Sequence, residues 1–442
     1  MQEKQSILPQ ALEDGLLLRW ATEADVEAIA AFNIQQHSQD PVNEPELWLG
    51  DWVRALMLGE HPTTRASDFT VVVDEDGRVV SSACLIGNRW MVEGVKFGCG
   101  QPELIATDPA YRRRGLVRLQ MQALHAKSAA RGDLMQAITG IPWYYRQFGY
   151  EMTLELHGSR PFFFTQQPAN PAPEEVYRLR TAVSDDLSTI HALYEIECQR
   201  GVVAAARSLD FWQYAAFVVR RDFPMAFNLA LIETPAGEVA GYVNYQQFGE
   251  QVNVREIVAA AGHSLRDIGL FVTRVMPQEA TKQNADHEKP IKQINFMLGG
   301  NHPLYEALDQ QLGTGRPPYA WYVRVADVAA FLRHIAPVFA PRLAISAMAG
   351  YSGKLRLSFY RRHVEMVFER GQLLSVGGYT PVDYFDCDAF FPEQTFLHLL
   401  LGHRSLAEVR HMWADCYPRN EETAVLLNAL FPKRPSCIRS LG

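Results

Sequence analysis

Glu103-Leu-Ile-Ala-Thr-Asp-Pro-Ala-Tyr-Arg-Arg-Arg-Gly-Leu-Val-Arg-Leu119 reads as three joined pieces. Leu104 to Ala106 is a short apolar strand, the segment through Pro109 a polar turn, and Arg112 to Arg114 a basic loop that opens a helix at Gly115. Leu116, Leu119, Ala123 and Ala126 recur at the spacing of one helical face, and Arg131-Gly132 supplies a favoured stop. A strand that feeds an Arg-rich, Gly-containing turn at a helix start is a ready anion site. Free backbone N–H groups and the helix dipole converge there, and glycine lets a phosphate approach the main chain. The chemistry this implies is grip on a pyrophosphate. A run of arginines alone would be a solvated basic face. The position of Pro109-x-x-Arg112-x-x-Gly115 between a strand and an amphipathic helix is what favours a functional loop.

Working outward, the chain contains an internal echo. Leu18-Arg-Trp-Ala-Thr-Glu-Ala-Asp25-Val-Glu-Ala-Ile29 aligns with Leu179-Arg-Thr-Ala-Val-Ser-Asp-Asp186-Leu-Ser-Thr-Ile190, and both read as a strand, a polar helix start and an amphipathic helix. A hairpin signal follows each, Asp74-Glu-Asp-Gly77 in the first and Pro235-Ala-Gly237 in the second. After Arg255-Glu-Ile-Val-Ala259 the second copy has no Pro-x-x-Arg-x-x-Gly, so it reads as scaffold or substrate wall without a phosphate cradle. Pro161 to Pro173 forms a Pro-rich connector unfit for a helix interior or a central strand. Gly313-Thr-Gly-Arg-Pro-Pro318 marks a second boundary, with a strand at Trp321 to Val325 after it. Beyond that, the pattern predicts a helix over 327–339, strands over 355–360 and 364–368, and helices over 396–401 and 405–412, a small α+β unit.

At 442 residues the chain is too long for one core. Hydrophobic content of 48% and charged content of 21% are those of an ordinary globular protein. No apolar run approaches the ~20 residues a membrane-spanning helix needs. The first residues lack the pattern of a signal peptide, and the six cysteines form no Cys-x-x-Cys pair, so a reducing cytoplasm is the expected setting, without disulfides or zinc. A net charge of −8 counts against nonspecific nucleic-acid binding.

Pro109-x-x-Arg112-x-x-Gly115-Leu116-Val117 resembles the acyl-CoA-binding signature of the GNAT N-acetyltransferases, and Arg-Arg-Arg-Gly-Leu resembles the enhanced intracellular survival (Eis) branch. Gly140-Ile141 and Tyr145-Arg-Gln-Phe-Gly-Tyr150 are similar to the family's later active-site segment. The resemblance covers nearly the whole chain. It implies an α+β, mixed fold of tandem GNAT domains, each a mixed β-sheet flanked by helices, with a C-terminal domain like the sterol carrier proteins. The implied divisions are a catalytic domain at 1–155, a degenerate GNAT-like domain at 156–322 and the sterol-carrier-like domain at 323–442. Carried over by residue, Leu104, Ile105 and Ala106 would offer backbone groups to the pantetheine arm of acetyl-CoA. Arg112, Arg113, Arg114, Gly115, Leu116 and Val117 would wrap the pyrophosphate, and Gly140 and Ile141 would lie beside the thioester. Val117 stands where the wider family has Gly or Ala, a size the Eis branch tolerates.

Acetyl transfer to an amine needs a neutral nucleophile, oxyanion donors and a proton for the leaving thiolate. The resemblance implies that Tyr145 gives that proton, against the plain alternative of a core aromatic. It also implies that the terminal carboxylate, here that of Gly442, accepts the amine proton, against the alternative of a frayed terminus. The implied activity is an acetyl-CoA-dependent N-acetyltransferase, with no metal, acting on a primary amine such as an aminoglycoside-like polyamine or a lysine side chain. The implied assembly is a homo-oligomer of up to six chains. The competing reading is a sterol-carrier-type protein holding a lipid, with acetyl-CoA as regulator. Other candidates fail on spacing. His37, His263, His302 and His398 have no regular metal spacing and read as surface or capping residues; His398 and His403 are five apart, not the four that stacks two ligands on a helix. No Gly-x-Ser-x-Gly elbow is present. Trp20, Trp48, Trp52 and Trp90 suit a core first and a pocket wall second.

Overall fold

A computed structural model describes residues 8–166, 176–220, 223–283, 291–392 and 394–439. The fold is mixed α+β, built on three sheets. In the first, strands Leu17–Trp20, Phe69–Val73, Val79–Val92 and Val95–Thr107 run antiparallel in sequence order. The chain then crosses over through helix Leu116–Ala130 to Met135–Ile138, which pairs parallel with Val95–Thr107. A parallel neighbour requires such a crossover, and the helix covers the sheet face it passes. Helices Val26–His37 and Trp48–Met57 pack against each other over an apolar cluster that includes Ile29, Trp52, Val53 and Phe69.

The internal echo is a structural repeat. Strand Arg178–Thr181, helix Leu187–Glu197, hairpin Asn228–Glu233 with Val239–Phe248, strand Gln251–Ala259, helix Leu265–Gln283 and parallel strand Gln293–Phe296 follow the same plan. The aligned charges do the same job in each copy. Arg19 pairs with Asp25 at 2.7 Å and Arg180 with Asp186 at 2.8 Å, each tying a strand to the start of the helix that follows it. The Asp25 carboxyl accepts from Arg19 and from the Thr22 backbone, which holds it down at about 2.

The two sheets exchange strands. Tyr319–Arg324, which follows the second copy, inserts into the first sheet between Met135–Ile138 and Glu151–Leu156. Arg160–Phe163, which follows the first copy, closes the second sheet beside Gln293–Phe296. Val203–Ala205 also joins the first sheet, against Val79–Val92. Each sheet is thus completed by chain from the other segment, so that one apolar cluster runs through Trp90, Trp212, Trp321 and Phe339. Pro161 lies in an edge strand, where its missing N–H costs no ladder bond; residues 167–173 of the Pro-rich connector lie outside the described residues.

The third sheet contains Gln372–Gly378, His363–Glu369, Gly353–Ser358, Ala389–Phe390 and Tyr417–Pro418. Leu355, Leu357, Phe359, Val364, Met366 and Phe368 are all buried in the shared core. The helix expected over 327–339 is broken: Val328–His334 ends, a tight turn spans Ala336–Val338, and Phe339–Ala344 begins anew. Pro337 explains the break, since it lacks the N–H and crowds the preceding turn. Helix Leu406–Met412 starts with a reciprocal cap: the Ser405 hydroxyl accepts from Glu408 N at 3.2 Å while the Glu408 carboxylate accepts from Ser405 N at 2.8 Å.

Candidate active site

Strands Val95–Thr107 and Met135–Ile138 are paired only at Cys99 with Met135 and Gly100 with Gln136. Beyond these pairs they separate, and a wedge opens between Gln101–Thr107 and Ala137–Thr139. On the far side, Val95–Thr107 stays bonded to Val79–Val92, with one extra residue between the pairs Cys84–Glu103 and Ser82–Ala106. That bulge is centred on Leu104, a leucine held at φ +50°. A non-glycine residue in the left-handed region inside a strand stores strain, and such bulges re-aim the backbone at functional sites. The edge of Leu104, Ile105 and Ala106 that faces the wedge has no partner strand among the described residues.

At the end of this strand, Asp108 accepts from Ala110 N at 2.9 Å and shapes the turn Pro109–Tyr111. Arg113 and Gly115 both take positive φ, at 64° and 76°, and Gly115 caps helix Leu116–Ala130. A Cβ at Gly115 would meet nothing within 4 Å, so the helix start is open to a ligand. Arg112, Arg113 and Arg114 are exposed while Leu116 is buried and Val117 half-buried, which anchors the loop by its helix. Arg112 Nε donates to Thr107 O at 3.2 Å, and Arg114 pairs with Asp14 at 2.8 Å and lies over the Tyr111 ring.

On the other lip, Gly140 and Ile141 follow strand Met135–Ile138. A Cβ at Gly140 would lie 1.8 Å from Cε2 of Tyr145, so glycine is what lets the Tyr145 ring reach this position. Tyr145 sits in the short helix Tyr144–Phe148, flanked by Trp143 and Gly149 at positive φ. Its ring packs against Tyr144, Tyr150 and Tyr322 and is buried. The ring is part of the core, as the plain alternative expects. Burial, then the neighbouring Glu103 carboxylate, push its phenol well above the ordinary range.

Glu103 is the residue that the reading of the sequence passed over. It lies on the bulged strand at the end of a polar relay: Asn88 donates to Gln101 at 2.8 Å, Gln101 donates to Glu103 at 3.2 Å, and Thr139 donates from the opposite lip at 3.5 Å. Burial raises its carboxyl to about 7. Its signal was a lone acid in an apolar strand one residue before the pantetheine candidates, which by itself does not separate an inward from an outward carboxylate.

Glu103 and Thr139 open onto a cavity of about 820 Å³. Trp48 and Trp52 of the first segment, Arg255 and Glu256 of the second sheet, and Pro435 to Arg439 of the C-terminal segment also line it. None of the residues Arg112 to Val117 does, so the basic loop is not part of the cavity wall. Trp90 is core, and the Trp20 ring carries the Lys127 ammonium at 4.5 Å. Gly442 lies outside the described residues.

Among the histidines, His302 caps helix Pro303–Leu308 by accepting from Leu304 N at 3.2 Å, as a capping residue should. His398 corrects the expectation of a surface or capping role. It is buried, bonded through Nδ1 to His403 at 3.0 Å and tilted against Trp413. Burial, then the neighbouring His403, depress its pKa to about 3, which keeps it neutral. The five-residue spacing meets because helix Phe396–Leu400 has already ended and the turn after it brings His403 back. No group of three or more His, Cys, Asp and Glu suited to a metal occurs among the described residues.

Residues 19–153 match the family model described as an acetyltransferase (GNAT) domain, which spans the strands, the basic loop and Tyr145. This segment is similar to the GNAT acetyltransferase domains. No curated protein matches the chain by sequence. Solved structures match it nearly end to end. A GCN5-related N-acetyltransferase from Kribbella flavida superposes with a TM-score of 0.68 at 16% identity, over 98% of this chain and 99% of that one. A conserved Enterococcus faecalis protein described as a probable N-acyltransferase gives 0.71 at 14%, over 96% and 99%. Eis1 from Mycobacterium abscessus gives 0.61 at 14%, over 96% and 99%. At these identities the likeness is one of fold, and it extends through all three sheets. No described helix is long and apolar enough to cross a membrane.

Proposed function

We propose that the chain is an acetyl-CoA-dependent N-acetyltransferase that passes acetyl to a primary amine by direct attack in a ternary complex. The observation that carries this reading is the wedge between strands Val95–Thr107 and Met135–Ile138, together with the open helix start and the Glu103 cavity. Leu104, Ile105 and Ala106 offer unpaired strand edge to the amide-bearing pantetheine arm. Arg112 to Val117 take the pyrophosphate at the helix N-terminus, and Gly140 and Ile141 stand beside the thioester.

In the reaction the amine nitrogen attacks the thioester carbonyl carbon, the C–S bond breaks, the amine gives up a proton and the thiolate gains one. Glu103, its carboxyl near 7, is matched to accept the amine proton at neutral pH. Tyr145, held protonated by burial, is a loaded donor for the thiolate. Among the described carboxylates, Glu103 is the one within this wedge, and we assign it the part that the resemblance gave to the Gly442 carboxylate. The working division is a catalytic segment at 1–155, a wall at 156–322 and a terminal unit at 323–442, in a cytoplasmic homo-oligomer of up to six chains.

Release of free thiol from acetyl-CoA with a panel of amines tests the reading: aminoglycosides, polyamines, lysine peptides and amino acids. Amine-dependent release that disappears in the Arg112→Ala/Arg114→Ala double variant supports it. No acetyl-CoA binding at all would overturn it.

A further inference from the structure

Three guanidinium groups meet in the cavity wall opposite one carboxylate. Arg207 follows strand Val203–Ala205, Arg255 lies in the second sheet and Arg439 comes from the C-terminal segment, and all three line the cavity with Glu256. The Arg207 side chain is 2% exposed and pairs with Glu256 at 2.6 Å. Its guanidinium lies 4.0 Å from the Tyr194 ring centroid and 4.7 Å from that of Trp212. Arg439 lies over Phe227 at 4.1 Å and donates one nitrogen to the carbonyls of Met225 and Ala226. Arg255 donates to Pro224 O at 2.7 Å. Glu256 is further occupied by the Tyr242 hydroxyl at 3.1 Å.

Among the described residues, Glu256 is the carboxylate that acts on Arg439, against the like charges of Arg255 and Arg207. Of the other acids lining the cavity, Glu197 pairs with Arg200 at 2.6 Å, Glu155 accepts from Gly300 N at 2.8 Å and Glu103 accepts from Gln101 at 3.2 Å. Nε and Nη1 of Arg207 and Nη1 of Arg439 are buried with no hydrogen-bond partner among the described residues. Buried donors without acceptors are costly, and buried charges without counter-ions more so. Those atoms are closed off, but Arg255 and Arg439 are only half-buried and line the cavity, and the planar fork of arginine suits a carboxylate or phosphate. The neighbours register the excess. Burial, then Arg255 and Arg439, lower the His157 pKa, and burial, then Arg255, press down on Arg439 itself.

We propose that Arg207, Arg255 and Arg439 form an oxyanion subsite in the acceptor cavity, so that the acceptor is an amine that also carries a carboxylate or phosphate. This rests on the transferase reading above and narrows it: a polycation would meet like charge here, while an amino acid or a phosphorylated amine places its amine toward Glu103 and its acid on the arginines.

Matched amine pairs test it, butylamine against 4-aminobutanoate and ethanolamine against phosphoethanolamine, with spermidine as polycation. The expected result is a kcat/KM at least about 10-fold higher for the acidic member, the scale of one charge-assisted hydrogen bond. Arg255→Gln and Arg439→Gln should each remove that preference through KM, with the neutral amine and acetyl-CoA binding unchanged. Arg255→Lys should restore part of it, which an unfolded variant cannot do. Equal use of both members, or a preference that survives in the double Gln variant, overturns the subsite. So does a collapse of acetyl-CoA affinity in the Gln variants, which would give the arginines to the cofactor's own phosphates. If no amine is acetylated, the transferase reading fails on its own, and calorimetry with 4-aminobutanoate and inorganic phosphate decides the subsite separately. Binding lost in the Gln variants sustains it, and no binding to the wild type removes it.

Discussion

Replacing Glu103 by Gln should make the protein more stable and far less active, and the two effects share one cause. The substitution keeps an acceptor oxygen for Gln101 and Thr139 and removes only the capacity to ionise. Burial raises the carboxyl from 4.5 to about 7. The folded state therefore holds the proton more tightly than the unfolded chain, and stability is lost as pH climbs from the unfolded value through the folded one. With one pKa unit worth about 1.4 kcal/mol, ionising Glu103 at pH 8 costs at most about 3.5 kcal/mol. Glu103→Gln should match the wild type in urea midpoint at pH 4 and exceed it at pH 8. In thiol-release assays the wild-type kcat/KM should rise through a pKa near 7 and stay high, since the Tyr145 phenol titrates far above it. The variant should lose that rise and roughly 10²–10³-fold in kcat, the usual scale of a general base. Parallel urea midpoints for the two proteins from pH 4 to 8 would sink the reasoning, because they would mean that Glu103 ionises as in water. A normal pH profile in the variant would move the base elsewhere, the Gly442 carboxylate first.

Other substitutions probe the remaining parts. Tyr145→Phe should lower kcat about 10²-fold while leaving calorimetric acetyl-CoA affinity intact, and full turnover would remove the proposed acid. Gly140→Ala should behave similarly and also lower the melting temperature, because its Cβ would stand 1.8 Å from the Tyr145 ring; a crystal structure with the ring unmoved would contradict this. Gly115→Ala should cost about 1–2 kcal/mol for a side chain at φ 76° and weaken acetyl-CoA binding, read by thermal shift with and without the cofactor. The Arg112→Ala/Arg114→Ala pair should weaken acetyl-CoA at least about 10-fold with little change in unfolding, since both side chains are exposed and a surface ion pair such as Arg114–Asp14 contributes under about 1 kcal/mol.

Local chemistry was legible in the chain itself. The basic loop, its glycine, the helix it opens and both hairpins are short-range features, set by backbone preferences and by periodicity within about 20 residues. The repeat was legible for the same reason, down to the arginine and aspartate that tie each strand to its helix. Two local failures also have local causes: Pro337 breaks a helix whose apolar pattern runs on, and His403 is brought to His398 by a turn that spacing rules for a continuous helix do not describe.

The tertiary structure alone decided what depends on distant segments meeting. A strand at 319–324 completes a sheet begun at residue 10, because an open edge beside a parallel pair is satisfied by whichever strand the chain returns, and sequence order does not say which. The acidity of Glu103 follows from burial in a wedge whose two lips are 36 residues apart in the chain. The arginines at 207, 255 and 439 read singly as ordinary surface charges. Only their enclosure in one low-dielectric wall, with a single carboxylate between them, turns three common residues into a site.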